Sequence, residues 1–280
     1  MRVFICANFH KEKSREVLSR SVAHLLSLGI TPILPLVLQE EFCYEAAEYT
    51  DEGFPADCDA VLTIGGDGTI LKWGKQAALL GKPLLGINTG RLGFMTALEA
   101  DELERLSALK NGNYRLSSRM LLELTTADGR RLPALNDVVL SRRLSAKLPE
   151  FRVKINEIEL SRIRADGLIF STPTGSTAYA LSAGGPIIEP NLECVEMTLL
   201  CAHTLWNRPM IFSGNDLIEV SFGGSGTEEV DVCTDGDGGV FLRAGETLTI
   251  RKADVCLKLI DIENNGFYSA VNRKLIQPIK

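Results

Sequence analysis

DAVLTIGGDGT, residues 59–69, decides how this chain is read. Four apolar residues, Ala60, Val61, Leu62 and Ile64, lead to the paired glycines 65 and 66, and Asp67 stands between Gly66 and Gly68. The stretch predicts a buried strand over Ala60 to Ile64, a sharp turn, and a helix over Ile70 to Leu80 closed by Gly81. A parallel strand presents its C-terminal end to the crevice where open α/β sheets bind ligands. Gly65 and Gly66 remove Cβ bulk there, so backbone N–H groups can face a phosphate, helped by the positive end of the helix starting near Thr69. Asp67 is a poor neighbour for a phosphate. Its placement makes sense beside a hydroxyl that needs an acceptor, which is the geometry of a kinase acting on an alcohol. The same residues also read as a plain turn or helix-capping aspartate. Two familiar phosphate motifs fail: Gly68 to Lys75 is one residue too long for a P-loop, and the segment after Gly68 lacks the last glycine of the dinucleotide fingerprint.

Working outward, Arg2 to Ala7 reads as a strand and Lys11 to Leu28 as an amphipathic helix, with Val17, Leu18, Val22, Leu25 and Leu26 on one face and Gly29 at its end. ITPILPL (30–36) and KPLLGIN (82–88) are further strands. This alternation predicts a parallel sheet flanked by helices. A polar helix is expected near Asp101 to Asn111. Beyond it short extended runs take over: Met120–Thr125, Asp137–Ser141, Phe151–Ile155, Leu168–Thr172, Met197–Cys201, Leu217–Phe222, Glu229–Thr234, Val240–Arg243, Thr247–Arg251 and Val255–Ile262. Turn signals separate them: ADGR at 127–130, INE at 155–157, GGSG at 223–226 and DGDGG at 235–239. The fold class expected is therefore an N-terminal parallel α/β domain over 1–112 carrying the GGDGT turn and a mostly antiparallel β domain over 113–262. The tail, 263–280, is expected to return to the first domain, with a short helix over Gly266 to Leu275.

The chain has 280 residues, 45% hydrophobic and 24% charged, with a net charge of −6. That balance disfavours a non-specific nucleic-acid grip but not a small anionic ligand held by local geometry. No apolar run reaches the roughly 18 residues of a membrane span, and the N-terminus lacks a signal peptide's pattern. A cytoplasmic location is the expectation, with no membrane partner. Seven cysteines lie scattered without a CxxC pair, which argues for buried thiols rather than a disulfide framework or zinc site.

A second constellation, RADGLIFSTPTGSTAYALSAGGPIIEP, spans Arg164 to Pro190. Seven hydroxyl-bearing residues (Ser171, Thr172, Thr174, Ser176, Thr177, Tyr179 and Ser182) follow a buried strand. With the glycine amides they suit a polar ligand of sugars and amides, and Tyr179 can stack on a flat base. A hydroxyl-rich turn with a capped helix near Thr177 is the plainer reading.

Together these stretches resemble the bacterial NAD kinases over nearly the whole chain. The resemblance rests on GGDGT (65–69), GINTGRLGFMT (86–96), ALNDVVL (134–140), DGLIFSTPTGSTAYALSAGGPI (166–187) and HTLWNRP (203–209). It implies transfer of the γ-phosphate of ATP to the 2′-hydroxyl of NAD's adenosine ribose, giving NADP and ADP. It also implies NAD bound between the two domains, a divalent metal, usually Mg2+, and a homodimer or homotetramer. By the same resemblance, Asp67 is the proton acceptor, and Gly68 and Lys72 line the nucleotide. Asn136 and Asp137 hold the adenosine part. Lys147 and Arg164 make further NAD contacts, Arg164 to a neighbouring subunit's ligand. Asp166 lies near the nicotinamide end, and Thr177, Ala178, Tyr179, Ala180, Leu181 and Ser182 wrap the dinucleotide. Relatives commonly carry Asn-Glu where this chain has Asn136-Asp137, one methylene shorter. Asp237 replaces an amide or cation and is not assigned a role. His203 is read as structural, since no partner stands at metal-ligand spacing, and no residue is assigned to the metal. A lipid kinase shares the glycine turn but needs an apolar acceptor cleft, against the hydroxyl-rich loop. An NAD(H) sensor without catalysis is the other alternative, against the intact Asp67.

Overall fold

A computed structural model describes residues 1–11, 13–51, 53–90, 93–143, 147–160, 162–204, 207–223, 228–262 and 267–277. Arg91 and Leu92 of the GINTGRLGFMT motif, Leu205 and Trp206 of HTLWNRP, residues 144–146 beside Lys147, residues 224–226 of the GGSG turn and Gly266 of the tail lie outside the described residues. The chain forms two compact units, Met1–Ser118 with Cys256–Lys280, and Arg119–Val255.

The first unit contains β1 (Arg2–Ala7), α1 (Lys13–Ser27), β2 (Thr31–Pro35), β3 (Glu48–Thr50), β4 (Ala60–Gly65), α2 (Asp67–Leu79), β5 (Leu84–Asn88), β6 (Leu98–Glu99) and α3 (Ser107–Asn111). The parallel sheet runs in the order β5-β4-β1-β2-β3. β4 is buried along its full length, as a strand covered on both faces must be. Val17, Leu18, Val22 and Leu25 of α1 join Val3, Ile5, Leu62, Ile64, Leu85 and Ile87 in one core, with Leu26 partly buried against it. Gly29 and Gly81 take left-handed backbone (φ +71° and +65°) where the helices stop. The chain moves from β1 outward to β2 and β3, then returns to place β4 on the other side of β1. The loops after β1 and β4 therefore flank the point where strand order reverses.

The second unit is antiparallel. Its strands are β7 (Arg115–Thr125, which begins in the first unit), β8 (Arg131–Ala134), β9 (Asp137–Arg142), β10 (Glu150–Ile155), β11 (Ile158–Glu159), β12 (Ile163–Arg164), β13 (Gly167–Ser171), β14 (Cys194–Leu200), β15 (Met210–Ser213), β16 (Ile218–Gly223), β17 (Glu229–Thr234) and β18 (Asp237–Arg243). A one-turn helix, α4 (Tyr179–Ser182), follows β13. One sheet runs β15-β14-β13-β9-β17-β18; another has β10 between β11 and β16. Phe151, Val153, Leu168, Phe170, Met197, Val220, Val232 and Ile250 share its core.

Several boundaries differ from the sequence expectation. Thr247–Arg251 and Val255–Ile262 are one continuous strand, β19 (Thr247–Asp261), because Lys252 to Asp254 carries no glycine or proline that would stop the ladder. The polar helix expected at 101–111 is a 3₁₀ turn, Leu103–Leu106, followed by the five-residue α3. The helix expected near Thr177 is a 3₁₀ turn, Gly175–Thr177, and then α4. In the tail, α5 (Phe267–Val271) passes into one wide turn, Asn272–Ile276. All seven cysteines are free thiols, but only Cys6 and Cys58 are buried, and Cys43 and Cys201 are exposed.

Candidate active site

In the first unit, Asp67 is the first residue of α2, with Gly66 as N-cap. Its carboxylate is pinned from outside the helix. Oδ2 accepts the Phe94 amide at 2.7 Å and Oδ1 the Met95 amide at 3.1 Å. Gly93 makes this possible: a Cβ there would overlap Asp67 Oδ1 and stand 2.6 Å from Thr96 Oγ1. Lys274, from the C-terminal tail, brings its ammonium to 3.8 Å from Asp67 Oδ2 and 4.0 Å from the centre of the Phe94 ring. Burial lowers the Lys274 pKa, and the Asp67 charge opposes that shift. Two carboxylate oxygens offer about four acceptor sites, so two amides and one ammonium leave capacity for a hydroxyl donor. Held by these contacts, Asp67 is a fixed acceptor that can orient a hydroxyl.

Gly68 is exposed with open space around it. Lys72 is exposed too; its ammonium lies 5.6 Å from the Trp73 ring, which packs edge-on against Phe4. That aromatic cluster, rather than Asp67, is the neighbour given to Lys72.

In the second unit, Asp137 opens β9 and Asn136 immediately precedes it. Their backbone is clasped by Asp235, whose carboxylate accepts the amides of Leu135, Asn136 and Asp137 at 2.9, 2.7 and 3.2 Å. Asp235 and Gly236 form a two-residue hairpin turn with φ of +55° and +81°, the conformation Asp-Gly pairs favour. Asp137 is 6% exposed, and burial first, then the Asp235 charge, pushes its pKa up to about 7. The glycine-rich loop folds onto this pair. Thr172 donates its amide to the Asn136 carbonyl at 2.8 Å and its hydroxyl to the Leu135 carbonyl at 2.6 Å. Gly175 lies so close to the Asn136 carbonyl that no Cβ would fit. The loop then carries Thr177, Ala178, Tyr179, Ala180, Leu181 and Ser182 through the 3₁₀ turn and α4, leaving Tyr179 exposed.

Four of the seven hydroxyls here, counting Thr172, are spent on backbone carbonyls. Ser171 donates to the Asn136 carbonyl, Ser176 to the Pro173 carbonyl, and Thr177 to the Thr174 carbonyl. Two buried polar atoms here find no partner among the described residues: Asn136 Oδ1 and Thr174 Oγ1. An unpaired buried polar atom costs about 1–3 kcal/mol, and a ligand that supplies partners repays that cost.

Asp166 is not brought to Asn136 and Asp137. Ser171 pairs with Asp137, and Gly167 with Ser141, so Asp166 lies at the opposite end of β13, roughly 17 Å away at strand rise. There it forms an ion pair with Arg142 at 2.9 Å. Arg164 is exposed on β12, and its carbonyl accepts the His203 amide at 2.7 Å. Lys147 is exposed. The sequence reading missed Asp235 and Lys274. DGDGG was legible as a turn, but nothing in it says which backbone its aspartate would reach, and Lys274 meets Asp67 only through tertiary folding.

Residues 5–114 match the model of the ATP-NAD kinase N-terminal domain, and residues 135–262 that of the C-terminal domain. Similar curated proteins include an NAD kinase of Moorella thermoacetica, 36% identical over 98% of this chain and 89% of the relative. An NAD kinase of Caldanaerobacter subterraneus is 32% identical over 99% of both chains. The chain belongs to the ATP-NAD kinase family. Solved structures of this family share the fold: a yeast NADH kinase complexed with NADH (TM-score 0.87, 25% identity, 100% of this chain and 89% of that one) and an Archaeoglobus fulgidus NAD kinase in complex with ATP (TM-score 0.75, 26% identity, 99% and 97%). ATP-dependent phosphorylation of NAD is accordingly the activity of this ATP-NAD kinase family member, and the lipid-kinase alternative falls away.

Proposed function

We propose that this chain phosphorylates the 2′-hydroxyl of NAD's adenosine ribose with Asp67 as the group that receives that hydroxyl. The hydroxyl oxygen forms a bond to the γ-phosphorus of ATP while the bond from that phosphorus to the β,γ-bridging oxygen breaks. ADP leaves with the bond's electrons, and the hydroxyl proton passes to Asp67 or to water. In a loose phosphoryl-transfer transition state, proton removal can lag behind, so orientation by a fixed carboxylate matters more than basicity. The observation that carries this reading is the Asp67 carboxylate, pinned by two amides yet retaining acceptor capacity.

Gly68 and Lys72 are assigned to the nucleotide. Asn136 and Asp137 are assigned to the adenosine half of NAD and the 177–182 segment to wrapping the dinucleotide, supported by the orphan Asn136 Oδ1 and Thr174 Oγ1. Asp166 is assigned near the nicotinamide end, supported by its place beyond the far end of β13, and Lys147 and Arg164 are assigned to further NAD contacts. A divalent cation, Mg2+ by preference, belongs to this reading and neutralises phosphate charge when bound. Among the described residues no three His, Cys, Asp or Glu gather as a metal cage, so the reading gives the cation mainly to phosphate oxygens, as is usual for Mg2+. The reading also includes a homodimer or homotetramer at work in the cytoplasm; seven free thiols suit a reducing compartment.

The test is a coupled assay of the purified chain that follows NADP formation across phosphoryl donors and across NAD and NADH. NADP formed only when ATP, NAD and Mg2+ are all present supports the reading. Consumption of ATP without NADP contradicts it.

A further inference from the structure

We infer that Lys11 is a donor-binding residue, gripping the polyphosphate chain of ATP at the reversal point of the parallel sheet. The inference rests on the kinase reading above and locates its donor. Lys11 lies on the loop after β1, one of the two loops that flank the strand-order reversal; the other is Gly65–Gly66 after β4. Its ammonium stands 3.1 Å from where a Cβ on Gly66 would lie and 2.6 Å from where one on Gly90 would lie. The charge therefore sits between two glycines, on loops following β4 and β5.

The surrounding loops are tied to each other. The Asn8 amide donates to the Ile64 carbonyl at 2.9 Å and the Thr89 amide to the Gly65 carbonyl at 2.7 Å. Ser14 Oγ and Thr89 Oγ1 are 3.1 Å apart. Lys11 thus lies on one of three loops that are tied together. Among the described residues it makes no ion pair, although carboxylates outnumber cations in this chain 36 to 30. Gly66 is also the N-cap of the 13-residue α2, whose first amides lack intrahelical acceptors and carry partial positive charge. An unpaired ammonium and a helix N-terminus at one spot, bare of side chains on two sides, form a receptor for a polyanion. Asp67, next in sequence to Gly66, holds its carboxylate to Phe94 and Met95 instead. A phosphate at Lys11 would thus stand beside Gly66, the residue before Asp67.

Lys11→Met and Lys11→Gln test this, with Lys11→Arg as the rescue. Kinetics with ATP and NAD varied separately are read beside calorimetric binding of ADP and of inorganic triphosphate to the unreacted enzyme. The inference predicts a KM for ATP raised about tenfold or more, an unchanged KM for NAD, ADP and triphosphate affinity weakened about tenfold, and substantial recovery in Lys11→Arg. Unchanged donor KM and unchanged ADP and triphosphate affinity in both folded variants would overturn it. Equal loss of both KM values together with a lowered melting temperature would overturn it as well, since Lys11 would then be structural. If the wild type formed no NADP while Lys11→Gln still weakened triphosphate binding, the kinase reading would fail and the Lys11 site would stand.

Discussion

The ammonium of Lys274 stands 3.8 Å from Oδ2 of Asp67, joining the end of the chain to the first residue of α2. The same ammonium lies over the Phe94 ring, and the Phe94 amide donates to the same Oδ2. Phe94 also packs against Phe267, 6.4 Å between ring centres. The tail therefore braces the segment that fixes Asp67. Lys274→Met should lower kcat about tenfold or more, a transition-state loss near 1.4 kcal/mol, with NAD affinity kept. Lys274→Arg should recover part of it. Steady-state kinetics with an NAD titration check this; an unchanged kcat in Lys274→Met would remove Lys274 from the account.

The Asp235 clasp gives a second expectation. Asp235→Ala strands three amides at the start of β9. Each unsatisfied buried donor costs about 1–3 kcal/mol, so the midpoint of urea unfolding should fall. NAD binding should weaken more than ADP binding, because the backbone lost is that of Asn136 and Asp137. Calorimetry on the folded variant measures both; equal weakening of the two ligands would count against it.

Asp137 supplies a pH test. Its carboxyl titrates near 3.8 when free and near 7 in the folded chain, so the folded state binds this proton more tightly. The stabilisation is fully present below about pH 4 and is lost as pH rises through 7. Over about three pH units, at about 1.36 kcal/mol each, the span is on the order of 4 kcal/mol, as an upper bound. Glu99 and Glu196, also raised chiefly by burial, act in the same direction. The difference between wild type and Asp137→Asn isolates Asp137. Melting curves without NAD from pH 4 to 8 should show wild type losing stability against Asp137→Asn; parallel curves would refute the shift.

What the sequence made legible follows from the range of the forces involved. The β4–α2 unit could be read because apolar runs and glycines act locally: Ala60–Ile64 is strand, and the helix begins at Asp67, two residues before the expected Thr69. The short strands β3, β6, β11 and β12 were not legible, since two or three residues carry no period. The 103–111 segment kept its helical character but not its length, because Leu103, Leu106, Ala108 and Leu109 are buried at a spacing that both helix types satisfy. In the site, Asp67, Asn136 and Asp137 announce themselves in dense motifs. Asp235, Lys274 and Lys11 do not, because an aspartate in a turn or a lysine in a loop gains meaning only from which distant backbone it faces. The hydroxyl cluster shows the converse: Ser171, Thr172 and Ser176 looked like ligand groups, and their bonds go to carbonyls of the loop and of residues 135–136.

The central claim is that the pinned Asp67 carboxylate receives the acceptor hydroxyl, and Asp67→Asn tests it most directly. The substitution keeps size, removes the charge and turns one of the two acceptor oxygens into a donor. In single-turnover NADP formation by the folded variant, with NAD binding measured by calorimetry, the rate should drop about 10²-fold or more at nearly unchanged NAD affinity. A rate within a few-fold of wild type would contradict the account.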